Sequence, residues 1–151
     1  MVSRSRGELP EAPAPPALLI DTNVLLDVIL GRTRWVDDAT LVLDAISRRI
    51  ARGYVAGHAI TTVHYVVERE QDRTTAATAV SDLLLILDVV PLGSADFRRA
   101  LALGLRDFED AVQVAACLQV GADFLVTRNE RDFKGAPVTP QSAGEVLAIL
   151  S

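Results

Sequence analysis

Three short stretches of this sequence carry polar groups of the types and spacing that metal-assisted chemistry needs. Asp21 follows the apolar run "ALLI", with Thr22 and Asn23 directly after it. Asp107 and Asp110 stand three apart in "RDFED", at the head of a long apolar helix pattern. Asn129 and Asp132 stand three apart in "TRNERDF", directly behind the apolar run "DFLVT". Taken singly, each has an ordinary explanation. Asp21 is a helix cap, Asp107 and Asp110 are charges at a helix start, and Asn129 and Asp132 shape a turn. Taken together they all fall at strand ends or helix starts. Carboxylates gathered there repel by several kcal/mol at close range, and protons or cations must neutralise them at neutral pH. All-oxygen donors suit Mg²⁺ or Mn²⁺. A hard divalent ion in such a cluster implies phosphoryl-transfer or phosphodiester chemistry, in which the ion activates water.

The elements that must position these groups follow from periodicity. "ALLI" and "DFLVT" read as buried strands, the continuous apolar runs of a parallel sheet. "YVAG", "DVVPL" and "PVT" read as shorter strands. Helical patterns cover about 23–30, 36–52, 60–72, 74–87, 95–103, 106–121 and 140–150. Gly31, Gly53 and Gly121 are their expected stops, Thr61 or Thr62 and Ser94 expected caps, and Pro140 the expected first turn of the last helix. Strands alternating with helices predict an α/β fold with a mainly parallel central sheet and helices on both faces. In such a sheet, ligands bind beyond the carboxyl ends of the strands. That edge is where Asp21, Asp110, Asn129 and Asp132 fall, so they can converge.

Bulk properties bound the reading. The 151 residues predict one domain over 17–151, after a Pro/Ala-rich tail at 1–16 without periodicity. The apolar run at 83–87 is far too short to span a bilayer, and the N-terminus lacks the apolar core of a secretory signal. A single cysteine, Cys117, makes no internal disulfide and predicts a cytoplasmic protein with Cys117 in the core. The net charge of −5 argues against a protein that wraps nucleic acid electrostatically, but not against an enzyme acting on it. Fourteen of the fifteen basic residues are arginine, which suits bidentate phosphate contacts. Arg128 and Arg131, beside the acidic stretch, are the expected substrate-binding pair. Arg98, Arg99 and Arg106 are secondary. His58, His64 and Trp35 are read as structural or surface residues, and no Walker loop, dinucleotide-binding loop or nucleophile elbow occurs.

In order along the chain, "LLIDTNVLLD" and "DFEDAVQVAACLQVGADFLVTRNERDF" resemble the PIN-domain family, most closely its bacterial members related to VapC-type toxins. The resemblance covers about 17–150. It implies a Rossmann-like three-layer α/β/α fold and a metal-dependent endoribonuclease using Mg²⁺ or Mn²⁺. It also implies an RNA substrate and a small antitoxin protein as partner. The family's first acid falls on Asp21, with Asn23 as its companion. The acid opening the late helix falls on Asp110, and the position after the last main strand on Asn129, followed by Asp132. The family's usual second acid is a Glu in the helix after the second strand. Aligning "AITTVHYVVERE" puts Val67 there and Glu68 one residue later. Either Asp107, in the Asp-Phe-Glu-Asp step, or Glu68 is the expected replacement for the missing charge.

Two other classes of function compete. One is a catalytically weak PIN-like domain that binds RNA or protein, for which the unfilled second-acid position is the symptom. The other is a haloacid-dehalogenase-like phosphatase or a receiver domain, which also place Asp at strand ends. The phosphatase needs an Asp where Asn23 stands. The receiver needs a late buried Lys, and Lys134, in a polar loop, is the chain's one lysine. Apolar helix faces at 36–52 and 60–87 suit a homodimer or an antitoxin groove.

Overall fold

The computed structural model describes residues 13–151. Residues 1–12 of the expected tail lie outside the described residues. At its end, the Pro15 and Pro16 carbonyls accept hydrogen bonds from Arg52, at 2.9 Å from Nε and 2.8 Å from the backbone N–H.

The apolar run at the start becomes β1 (Ala17–Ile20), and no residue in it is more than 1% exposed. After it come α1 (Thr22–Ile29), α2 (Val36–Ser47), β2 (Arg52–Ala56), α3 (Gly57–Glu70), α4 (Arg73–Ile86) and β3 (Asp88–Val90). The second half holds α5 (Ser94–Ala102), α6 (Phe108–Val120), β4 (Phe124–Val126), a 3-10 turn (Glu130–Phe133), β5 (Pro140–Gln141) and α7 (Ala143–Leu150). The sheet has the order β3-β2-β1-β4-β5 and every pairing is parallel. Among the described residues no helix is long and apolar enough to cross a membrane.

Alternation along β1 divides the core. Leu18 and Ile20 face one side, with Val24 and Leu25 of α1, Val42 of α2, Val63 and Val67 of α3, Leu83 of α4 and Val146 of α7. Leu19 faces the other, with Val114 and Cys117 of α6 and Leu125 of β4. A sheet buried on both faces has no polar side to alternate with, which is why its strands read as unbroken apolar runs. The result is the expected three-layer α/β/α sandwich. Strand order runs outward from β1 to β3 in one direction and through β4 and β5 in the other. The reversal lies between β1 and β4, so their carboxyl ends flank a natural ligand crevice.

Three local expectations are corrected. Helix α2 stops at Ser47 rather than near residue 52, because the chain turns through Arg49 at a φ of 62°. Gly53 is therefore a strand residue and not a helix stop. A Cβ there would come within 2.6 Å of Leu87 and 2.7 Å of Ile46, so the gap in the side-chain layer is what lets α2 and α4 close over β2. The last helix begins at Ala143 instead of Pro140. Ser142 caps it in a reciprocal pair with Glu145, and Pro140 sits in the edge strand, where its missing N–H costs nothing. Likewise α3 starts at Gly57, so Thr61 and Thr62 lie inside it, and the Thr61 hydroxyl donates to the His58 carbonyl.

Candidate active site

β1 delivers Asp21 to the crevice. Its backbone N–H bonds the Val126 carbonyl at 2.9 Å, and its own carbonyl accepts from Val24 to begin α1. Its carboxylate caps nothing. It accepts instead from the Thr127 hydroxyl at 2.9 Å, across the β1–β4 switch point. Asp21 is only 4% exposed. Burial pushes its pKa up to about 6; the Thr127 bond opposes the shift and the Glu109 charge adds to it.

Helix α6 delivers the second group. Asp107 caps it, accepting from the Asp110 N–H at 3.0 Å, and Gly121 ends it in the left-handed conformation at a φ of 63°. The Asp110 pKa is pushed up to about 7, first by burial and then by the charges of Asp107, Asp21, Glu109 and Asp132. One carboxylate oxygen from each of Asp107, Glu109 and Asp110 lies within 4.8 Å of the others. Asp132 comes from the 3-10 turn. A cleft of about 720 Å³ opens beside these acids, lined by Arg106, Asp107, Asp110, Arg131, Asp132 and Lys134. Asn129 is exposed and lines an adjoining hollow of about 430 Å³ with Arg131 and Asp132. Asn23 is half-buried in the first turn of α1.

The structure therefore brings Asp21, Asp107, Glu109 and Asp132 within electrostatic range of Asp110. Other expected residues do not join them. Val67 is fully buried in the core beneath α3. It lies nine residues past His58, about 14 Å along the helix axis, and so far from the crevice. No carboxylate at that depth could serve the cluster. Glu68 pairs with His64 at 3.6 Å on an exposed part of α3. Arg128 lies near enough to Asp21 to lower its pKa, with its side chain packed on neighbouring residues. Its guanidinium lies over the Trp35 ring, 3.9 Å from the centroid, and its Nε is 3.2 Å from Asp27. Arg131 lines both hollows.

Sequence reasoning missed Glu109, His58 and Gln113. His58 Nε2 is 2.8 Å from Glu109 Oε2. The Gln113 amide donates to the Thr22 hydroxyl at 3.1 Å and to Glu109 Oε2 at 3.5 Å. A signal was available. Gln113 is the polar interruption in "AVQVAAC", and Glu109 stands four residues before it, one helical turn away on the same face.

These features define a Rossmann-like α/β/α protein with a carboxylate-lined cleft at the reversal of strand order. A PIN-domain family model matches residues 17–131, and the chain belongs to that family. Ribonuclease VapC1 of Aquifex aeolicus is 27% identical over 124 residues, 77% of this chain and 83% of that protein. Among solved structures, VapBC2 from Rickettsia felis, bound to a promoter DNA fragment, aligns with a TM-score of 0.68 at 14% identity, over 83% of this chain and 98% of that one. A toxin–antitoxin complex from Klebsiella pneumoniae aligns with a TM-score of 0.65 at 22% identity, over 83% and 97%. The sarcin-ricin-loop-cleaving toxin VapC20 of Mycobacterium tuberculosis aligns with a TM-score of 0.64 at 14% identity, over 78% and 95%.

Proposed function

We propose that this chain is a divalent-metal-dependent endoribonuclease and the toxin of a toxin–antitoxin pair. The observation that carries the reading is the convergence of Asp21, Asp107, Asp110 and Asp132, with two of these carboxyls pushed up to about 6 and 7. Acids that resist ionisation in a crowded cluster fit a cation, and an all-carboxylate donor set fits Mg²⁺ or Mn²⁺. Asp21 and Asp110 would hold the ion, with Asp107 and Asp132 completing the donor set. When bound, it would lower the pKa of a water and neutralise charge on a phosphodiester.

The chain's own groups do the rest. Thr127 fixes the Asp21 carboxylate by its hydroxyl bond. Arg131, open to both hollows, holds a substrate phosphate, with Asn129 beside it. Arg106 and Lys134 supply further positive charge along the cleft wall, which draws a polyanion towards an otherwise acidic site. The names of VapC1 and VapC20 support ribonuclease activity, and the VapBC complexes support a small antitoxin partner. A soluble, cytoplasmic homodimer fits the same reading.

The test is cleavage of structured RNA with Mn²⁺ by the wild type and by Asp21→Asn and Asp110→Asn. Loss of cleavage in both supports the reading. Unchanged cleavage in both overturns it. A domain that only binds RNA would retain the RNA and cut none, with or without the substitutions.

A further inference from the structure

Helix α3 follows β2 without a connecting loop, because Gly57 succeeds Ala56 directly. A Cβ at Gly57 would stand 3.0 Å from the Val90 carbonyl, so the turn is as tight as a side chain would allow. The turn delivers His58 to the sheet's carboxyl edge, in the first turn of α3. The helix therefore presents an imidazole to the acids at the head of α6.

That imidazole is tied to Glu109. Nε2 lies 2.8 Å from Glu109 Oε2, and because a carboxylate oxygen accepts, Nε2 is the donor of this bond; Nδ1 is buried without a hydrogen-bond partner among the described residues. Gln113 is fully buried and reaches the same carboxylate oxygen. Its Oε1 is a second buried polar atom without a partner, on a side chain wedged between Thr22 and Glu109. Two buried polar atoms without a partner among the described residues are more than a plain interhelical tie needs. Both bonds fall on Oε2, which leaves the lone pairs of Oε1 free for another partner. One Glu109 oxygen already lies within 4.8 Å of oxygens of Asp107 and Asp110.

We propose that Glu109 is a working ligand of the acid cluster, supplied by α6 in place of an acid on α3, and that His58 is the positioning residue that holds it. This rests on the metal-dependent reading above. It differs from the sequence expectation, in which Asp107 or Glu68 replaced the missing charge. Asp107 gives one oxygen, Oδ1, to its cap bond with Asp110, and Glu109 is likewise held through one oxygen, Oε2, so each has a second oxygen to offer. His58 acts as a carboxylate-orienting donor beside the metal, in the manner of groups that hold ligands from behind.

The experiment is Mn²⁺ titration of the purified full-length chain, followed by the electron paramagnetic resonance signal of free Mn²⁺, with thermal melts of the same samples without metal. Glu109→Gln keeps the size and the polar contacts and removes the charge. The expected result is at least tenfold weaker Mn²⁺ binding with the metal-free melting temperature unchanged or raised, since repulsion on Asp21 and Asp110 is relieved. His58→Ala is expected to weaken Mn²⁺ binding about tenfold, and His58→Gln, which restores an N–H donor, to recover part of it. Glu68→Gln is the control and should bind as the wild type does. A merely structural tie gives the opposite pattern: a lowered melting temperature in Glu109→Gln with Mn²⁺ affinity intact, and that result overturns the proposal. Binding that is lost in Asp21→Asn but kept in Glu109→Gln overturns this proposal alone. A wild type that binds no Mn²⁺ overturns both this proposal and the metal-dependent reading beneath it.

Discussion

Asp21 and Asp27 bracket the same short helix, and both carboxyls are buried, at 4% and 1% exposure. Their surroundings are opposite. Asp27 lies between two guanidiniums, 3.4 Å from Arg32 and 3.2 Å from Arg128, with Trp35 stacked behind the latter. Burial raises its pKa, and both arginines pull it back. Asp21 accepts from the Thr127 hydroxyl and the Thr22 backbone; the Glu109 charge raises its pKa, and the more weakly felt Arg128 lowers it. A buried acid with cations built around it is part of the scaffold. A buried acid on which neighbouring acid outweighs neighbouring cation has room for a cation from outside. Burial alone does not separate the two; the sign of the neighbours does.

The sharpest way to break this contrast is to remove each charge in turn. Asp21→Asn should reduce RNA cleavage by roughly 100-fold or more, since it removes a metal ligand, while the metal-free protein melts no lower than the wild type. If cleavage survives, Asp21 is scaffold after all. The second test is the pH dependence of stability without metal. The Asp21 pKa rises from 3.8 unfolded to about 6 folded, and that of Asp110 to about 7. In that window the folded chain keeps protons that the unfolded chain releases. Stability is thus full below about pH 4 and declines as the pH rises through 6 to 7. Asp21 alone accounts for about 2–3 kcal/mol of this decline. Chemical denaturation across pH 4–8 should show the decline, Asp21→Asn should flatten it, and saturating Mn²⁺ should reverse it. A flat profile in the wild type would mean that the acids are not crowded.

The Asp27 side of the comparison predicts smaller effects. Asp27→Ala should cost about 2 kcal/mol of stability, less than a fully buried pair because both arginines can partly rehydrate. Cleavage per folded molecule should stay within about twofold of the wild type. The smallest effect is expected from Arg128→Lys, which keeps the charge and loses the flat stack on Trp35, for about 1 kcal/mol. Its KM for RNA should not move. A raised KM would return Arg128 to the substrate-binding role that its place in the sequence suggested.

Much of the fold is legible in the sequence because long apolar runs report burial on two faces. β1 and β4 are clear for that reason, and α6 is clear from its Asp107 cap and Gly121 stop. Strand order is not legible, since the pairing of Leu19 with Leu125 joins segments with no local signal between them. Pro140 misleads because proline suits both a helix start and an edge strand, and only the partner strand decides. At the site, Asp21, Asp107, Asp110 and Asp132 are visible as strand-end and helix-start acids. The His58–Glu109 contact is hidden because its partners are 51 residues apart. The misreading of Val67 has a geometrical cause. Which residues of a helix reach a crevice depends on where the helix begins, and α3 begins three residues earlier than periodicity suggested.

The hydroxyl bond from Thr127 to Asp21 spans 106 positions of sequence. For a chain made from its N-terminus at about 5–20 residues per second, Asp21 waits roughly 5–20 s for the strand that completes its wall. During that time β1 has only β2 beside it, and the acids of α6 have not yet been translated for most of the interval. The cluster is therefore a late event in the life of each molecule. A nascent chain carries a solitary aspartate, and whatever the gathered acids do is withheld until nearly the whole polypeptide has been made.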